Sequence, residues 1–281
     1  MEFIRGGAAA SYDVLALGDR LVRDFYGSEH PTLTISDLRT AETFSLRLYA
    51  LSDVSRCIVQ RGRRTIFNLN VNDVPRVENE EEPWLAYLGL PDTIAVLLAA
   101  VVNLCADAML PTGRQSPSNP SLSISGRAEG IETALRNWKP SFPSNVGNDS
   151  RAFVSRTIAG ELWRNTALIL LYQSVYRVGG LHPILRRAQA EILSLLSSIT
   201  QLPGGDLWGF IALPAFLAAC LSTVDEDRKL AMSSLVRTGP ERVWLDNIAL
   251  VEKIWEETDR TGHLADWHEL MVREGLSVAF F

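Results

Sequence analysis

Cysteine is scarce. The three present, Cys57, Cys105 and Cys220, lie far apart, and no two have Cys-x-x-Cys spacing. That excludes a six-cysteine zinc cluster within the chain and points to reduced thiols inside a cell. Three catalytic or cofactor signatures are also missing. There is no Gly-x-x-x-x-Gly-Lys-Ser/Thr, no Gly-x-Gly-x-x-Gly and no Gly-x-Ser-x-Gly. These absences remove a P-loop, a dinucleotide fingerprint and a nucleophile elbow. His268-Glu269 lacks the second histidine of a zinc-protease helix. His263 and His268 are five apart and do not share a helix face, so they read as a turn histidine and a solvated helix histidine rather than metal ligands. A basic excess is absent too: net charge is −6 and the pI about 5.3. Such a chain is a poor candidate to grip nucleic-acid phosphates by itself, and its acidity reads as solubility.

Long apolar runs are short of the roughly 20 residues a membrane-spanning helix needs. The run from Thr93 to Ala106 is cut by Asn103 and Asp107, and the uncharged stretch from Leu207 to Val224 contains Pro214. Both read as buried core helices, and no membrane association is expected. The start, Met1 to Gly7, has no apolar stretch behind a basic residue, so it is not a signal peptide. Asn148-Asp149-Ser150 matches a glycosylation acceptor by chance.

What the chain does have is helical material. Hydrophobic residues make up 47% of 281, enough for a sizeable core. Alanine and leucine abound while β-branched runs are few, which favours helix over strand. Val14 to Tyr26 reads as a helix, and Ser36 to Cys57 continues the pattern with Phe44, Leu48 and Leu51 on one side. Asp92 or Thr93 caps a helix running to Met109. Ile131, Leu135 and Trp138 form one stripe. Phe153 to Val178 is a long helix, apolar all round from Ala167 to Leu171 and therefore buried on most sides, and Gly179-Gly180 stops it. His182-Pro183 opens the next, with proline in the first turn. Leu207 to Val224 is kinked or begins near Pro214, and Asp225 to Val236 starts with acids that complement the helix dipole. The expectation is an all-α, irregular bundle of about nine or ten helices in a single domain, with no persuasive strand. An N-terminal segment, 1–35, carries one helix. The main domain spans 36–281 and contains the long loops 111–123 and 139–150.

Two clusters invite functional readings. Arg56, Arg61, Arg63 and Arg64 surround Gly62. They form a localisation or phosphate patch, or simply cations favoured at a helix C-terminus, and the second explanation suffices. Asp225-Glu226-Asp227 is the nearest approach to the metal-binding carboxylates of an all-α terpene-cyclising enzyme, and dipole complementation explains it.

The last 40 residues are the most specific. Trp244, Ile248, Val251 and Trp255 follow i, i+4, i+7, i+11 spacing on one helix, which Gly262 can cap in a left-handed conformation. Asp266-Trp267-His268-Glu269 then starts a short second helix, with Trp267 placed to plug the corner. This hairpin resembles the end of the regulatory domain of fungal-specific transcription factors, the region that follows a binuclear zinc-cluster module in many fungal regulators. Further pieces resemble the family in order: Trp84 to Pro91 before the helix at Thr93, Ile131 to Pro140, Glu161 to Pro183, and Ala212 to Arg228. Ala219 and Gly275-Leu276 depart from residues common in the family.

The resemblance implies control of transcription rather than catalysis, no cofactor, and a nuclear location with shuttling from the cytoplasm. It implies a small apolar ligand or protein partners, namely transcriptional co-regulators or a second copy as a homodimer. It implies no direct DNA binding by this chain, whose zinc cluster would lie in a lost or omitted module. Trp208, Phe210, Phe216 and Cys220, beside Gly204-Gly205, are the candidate ligand-binding wall, and ordinary core is the plain alternative. Trp244, Trp255 and Trp267 are the structural residues of the hairpin. Two other functions stay open: a helical interaction scaffold without ligand, and an all-α enzyme acting on an apolar substrate.

Overall fold

The computed structural model describes residues 6–28, 31–34, 36–38, 42–69, 89–109, 123–140, 150–199 and 211–280. Among them are ten α-helices and one short 3₁₀ turn, Ser36–Leu38. The helices are α1 (Gly7–Tyr26), α2 (Phe44–Val59), α3 (Asp92–Met109), α4 (Ile124–Asn137), α5 (Ser150–Ser174), α6 (Pro183–Ile199), α7 (Ala212–Cys220), α8 (Asp225–Val236), α9 (Arg242–Thr261) and α10 (Trp267–Glu274). The all-α expectation holds. Two parallel two-residue strands, β1 (Thr32–Leu33) and β2 (Asn68–Leu69), were not expected, because a pair that short has no periodicity to read.

The chain divides into two compact units. One comprises residues 21–177, the other residues 1–20 together with 178–281.

The first unit is built around α3, which packs on α2, α4 and α5. Its residues from Ile94 to Ala99 are all buried, and mean hydropathy makes it long and apolar enough to cross a membrane. Two-thirds of it is covered by protein, the pattern of a core helix. Asp92 belongs to its first turn rather than capping it. Ser123 caps α4 by accepting the Gly126 N–H at 3.0 Å. Trp138 ends α4 and lies where a Cβ on Gly160 of α5 would sit, so glycine permits this close approach. The glycine pair does not stop α5. The helix ends at Ser174, and Arg177 takes the left-handed conformation at φ 53°. The Cys105 thiol donates to the Ser174 carbonyl at 3.7 Å.

Within the arginine cluster Arg56 stands in the last turn of α2, as a helix-end cation would, but Arg56, Arg63 and Arg64 are also held by acids. Asp53, 1% exposed, accepts from Arg56 at 3.2 Å, from Arg63 at 2.5 Å and from the Ile66 N–H at 2.5 Å. Arg63 also reaches the Cys57 sulfur at 2.9 Å, and Arg64 pairs with Asp107. Asp107 in turn holds Arg127 of α4 at 2.6 Å. Asp53 stands three residues before Arg56 on α2, a local pair, whereas Asp107 on α3 meets Arg64 and Arg127 only through folding. Burial raises the Asp53 carboxyl above its usual range, against the pull of Arg63, the Ile66 N–H and Arg56. Burial and the neighbouring Asp53 charge push the Cys57 thiol up to about 12.

The second unit is built around α7, every residue of which is buried. It packs on α6, α8 and α9. Pro214 sits in its first turn, where a missing N–H leaves nothing unsatisfied. Buried Gln189 of α6 donates to Ser222 at 3.0 Å and to the Ala218 carbonyl at 3.4 Å, fastening α6 to the end of α7. α9 stops at Gly262, which takes φ +72° as the expected left-handed cap. Asp266 caps α10 by accepting the His268 and Glu269 N–H groups.

Two expectations about the hairpin are corrected. The buried face of α9 is Val243, Asn247, Leu250, Val251, Ile254 and Thr258; of the expected stripe Trp244, Ile248, Val251 and Trp255 only Val251 lies on it, and both tryptophans are half-buried. Asn247 decides the shift. Its amide donates to the Ala279 carbonyl at 2.8 Å, and its oxygen accepts the Ala279 N–H at 3.2 Å. A polar residue so matched to the tail can be buried without penalty. His268 is buried, not solvated, and stacks on Trp267.

Candidate functional site

Of the predicted ligand wall, Trp208, Phe210 and the glycine pair 204–205 lie outside the described residues. Phe216 and Cys220 are both on α7 and both buried. The Phe216 ring meets the edge of Trp267 at 5.2 Å and tilts against Phe280 at 5.0 Å. Its surroundings are those of a packed aromatic core. Burial, and then the Asp266 charge, raise the Cys220 thiol well above its usual range, so it is neither a nucleophile nor a ready metal ligand. Trp267 is 3% exposed, with the Phe216 ring against it.

Trp255 occupies a different setting. Its indole N–H donates to the Ala219 carbonyl at 2.9 Å, at the C-terminal end of α7, where the same oxygen also accepts the Ser222 N–H at 3.0 Å. The Arg228 guanidinium lies over its ring at 5.3 Å and is itself held by both Asp259 oxygens, at 2.8 and 2.6 Å. That fork geometry fixes the cation on the aromatic face. The charge of Arg228 also holds the Asp259 carboxyl below its usual range, mainly through the hydrogen bonds.

Beside this assembly runs an open groove of about 530 Å³, lined by Asp225, Arg228, Lys229, Met232, Ser233, Val236 and Trp255. Six of the seven belong to α8 at positions 225, 228, 229, 232, 233 and 236, which form one helix face. Its apolar part is Met232, Val236 (58% exposed) and the Trp255 ring. The groove runs most of the length of α8, close to 16 Å at 1.5 Å per residue. Sequence reasoning placed Trp255 as a structural residue and missed Met232 and Val236. A signal existed: two apolar residues at i, i+4 on a helix whose buried residues, Ala231, Ser234 and Leu235, face elsewhere.

Among the described residues no group of three or more His, Cys, Asp or Glu converges as a metal site requires. His263 and His268 are not brought together with other such groups. Asp225, Glu226 and Asp227 occupy the first turn of α8, where they complement the helix dipole. Chemically, the groove offers apolar contact, an aromatic face, one outward lysine, Lys229, and one exposed carboxylate, Asp225.

The model of one family, described as the fungal specific transcription factor domain, matches residues 2–281. No curated protein and no solved structure matches the chain.

Proposed function

The chain belongs to the fungal specific transcription factor domain family and has a transcription-regulatory role, and on that premise we propose that it regulates by docking a protein partner in the α8–α9 groove. The observation that supports this reading is the open, apolar trough of Met232, Val236 and Trp255 with Lys229 beside it. A trough of this shape suits the apolar face of a partner helix, with an acidic residue of the partner near Lys229. An enclosed ligand site would instead bury most of its occupant. The partner we propose is a transcriptional co-regulator, acting in the nucleus. A homodimer is proposed alongside it, to be read by light scattering on the purified chain.

Chromatin-tethered output tests the reading. The full chain is fused to an unrelated DNA-binding module in a fungal reporter strain, and Met232→Asp and Trp255→Ala are compared with wild type. Truncating a central anchor costs about 2 kcal/mol, on the order of 30-fold in affinity. Reporter output should therefore collapse or escape control while the helical signal of the purified variants persists. Unchanged output from both variants would sink the docking reading.

The second reading is a small apolar metabolite. It is supported by the groove volume of about 530 Å³, inside the range of ligand sites, roughly 300–1,000 Å³. A ligand at Phe216 and Cys220 would have to part Phe216 from Trp267 and Phe280, which favours the groove. Native mass spectrometry of the chain from a fungal host distinguishes the two readings: a co-purifying apolar molecule at fixed stoichiometry supports the metabolite.

A further inference from the structure

α1 is twenty residues long, yet its buried residues are only Gly7, Ala8 and Ser11, all at its start. Val14 and Leu17, further along, are 55% and 57% exposed. A helix gains most of its stability in a protein from packing an apolar face, and the buried contacts of this one are concentrated at its start, with the Tyr26 ring set edge-on to Phe67 near its other end.

The pin is specific. Ala8, Val243 of α9 and Ala279 of the tail form a small apolar cluster, with Tyr12 and Trp244 packed against it. The Ala8 N–H donates to Asp246 Oδ2 at 3.1 Å, so a side chain of α9 satisfies one of the open donors of the first turn. Asp246 Oδ1 is held by Arg242 at 2.8 Å. The Tyr12 hydroxyl donates to the Val278 carbonyl. Gly7 stands at φ +76°, and a Cβ there would lie 2.6 Å from Asp246 Oδ2, so only glycine closes the contact. The tail is held in place to receive α1 by the paired hydrogen bonds between Asn247 and Ala279.

The helix that carries this pin also lends Trp255 to the groove. Residues 243–247 of α9 hold α1 and the tail, while Trp255 holds α7 and, with Asp259, Arg228 of α8. The nine steps from Asp246 to Trp255 span about 14 Å of one helix. An occupant that displaces Trp255 from the Ala219 carbonyl moves the helix that also presents Asp246 and Asn247.

We propose that the first turns of α1 are a releasable latch on the C-terminal tail, and that α9 couples its closure to occupancy of the groove. The latch has two states. Closed, it covers Val243, Trp244 and Ala279; open, it exposes them for other contacts. The groove's role as a coupled site rests on the docking reading above, and reciprocity requires that opening the latch also loosen the groove.

Hydrogen exchange on the purified full chain tests this without any partner. Tyr12→Phe removes the hydroxyl at Val278 and should speed exchange of the amides of residues 8–17 by roughly tenfold, the effect of about one lost hydrogen bond. Trp255→Phe keeps a ring but loses the N–H bond to Ala219, and should speed the same amides by several-fold, leaving α6 unchanged. Gly7→Val opens the latch directly and should speed exchange in α8. If Tyr12→Phe accelerates every helix alike, α1 is an integral part of the core and the latch falls. If Trp255→Phe leaves residues 8–17 unchanged, the coupling falls. The reporter result bears only on docking: unchanged output from Met232→Asp and Trp255→Ala alongside a responsive latch would overturn the docking reading and leave the coupling standing.

Discussion

Replacing Arg63 with methionine isolates what a buried carboxylate costs when a cation is withdrawn. Arg63 Nη1 lies 2.5 Å from Asp53 Oδ1, and the Asp53 side chain is 1% exposed. Removing one member of a buried pair typically costs about 3–5 kcal/mol. Here Arg56 and the Ile66 N–H remain on Asp53, and Arg63 is 19% exposed. The expected loss is therefore smaller, about 2–3 kcal/mol near neutral pH. For a body of this size that lowers Tm by about 5–10 °C. The loss has a pH signature. Burial already raises the Asp53 carboxyl above 3.8, and Arg63 is the largest pull against it. Without Arg63 the folded-state pKa rises further while the unfolded value stays. A group whose pKa is raised by folding contributes stability that is full below the unfolded pKa and lost as pH climbs through the folded one. Arg63→Met should thus be closest to wild type near pH 4 and fall behind as pH approaches neutrality. Urea unfolding followed by circular dichroism at several pH values measures the gap. A gap of constant size across that window, or one under about 0.5 kcal/mol at neutral pH, would refute the reasoning.

Phe216→Ala empties space between Trp267 and Phe280 and should cost about 3–5 kcal/mol by calorimetry, with a loss below about 1 kcal/mol contradicting the packed-core assignment. Gly262→Ala forces a Cβ into φ +72° and should cost about 1 kcal/mol, read from the urea midpoint; no loss would mean the cap relaxes freely. Cys57, Cys105 and Cys220 are free, buried and held protonated. A thiol reagent at mildly alkaline pH should label them slowly in the native chain and promptly in denaturant; fast native labelling would contradict their burial.

The legible parts of the fold share one property: their cause is local. An apolar run on every side of a helix has no exposed solution, so Ala167–Leu171 and the core of α3 are buried as the sequence implies. Gly262 and the capping aspartate Asp266 mark helix ends through their own conformational and hydrogen-bonding preferences. The family resemblance was legible for a related reason, since such local features recur in a fixed order along the chain.

The candidate site was legible only in part. Trp255 stood out as a residue, but its role depends on Arg228 from α8 and on a carbonyl of α7. The predicted wall residue Phe216 instead faces Trp267 and Phe280, both more than fifty residues away along the chain. Composition says that an aromatic will be buried. It does not say whether the burial encloses a ligand or another ring.

The sequence by itself therefore determined an all-helical chain, the two helices at the centres of its units, the caps of the C-terminal hairpin and the family. Tertiary structure alone decided which face of α9 is buried, because Asn247 finds both its partners on Ala279, 32 residues away. It also turned Arg56, Arg63 and Arg64 into parts of buried and bridging ion pairs around Asp53 and Asp107, ended α5 at Ser174 rather than at the glycine pair, and aligned α8 with Trp255 to make the groove. The reason is the same throughout. Apolar burial and caps follow from a residue and its near neighbours, whereas a polar group is buried only where a distant partner satisfies it.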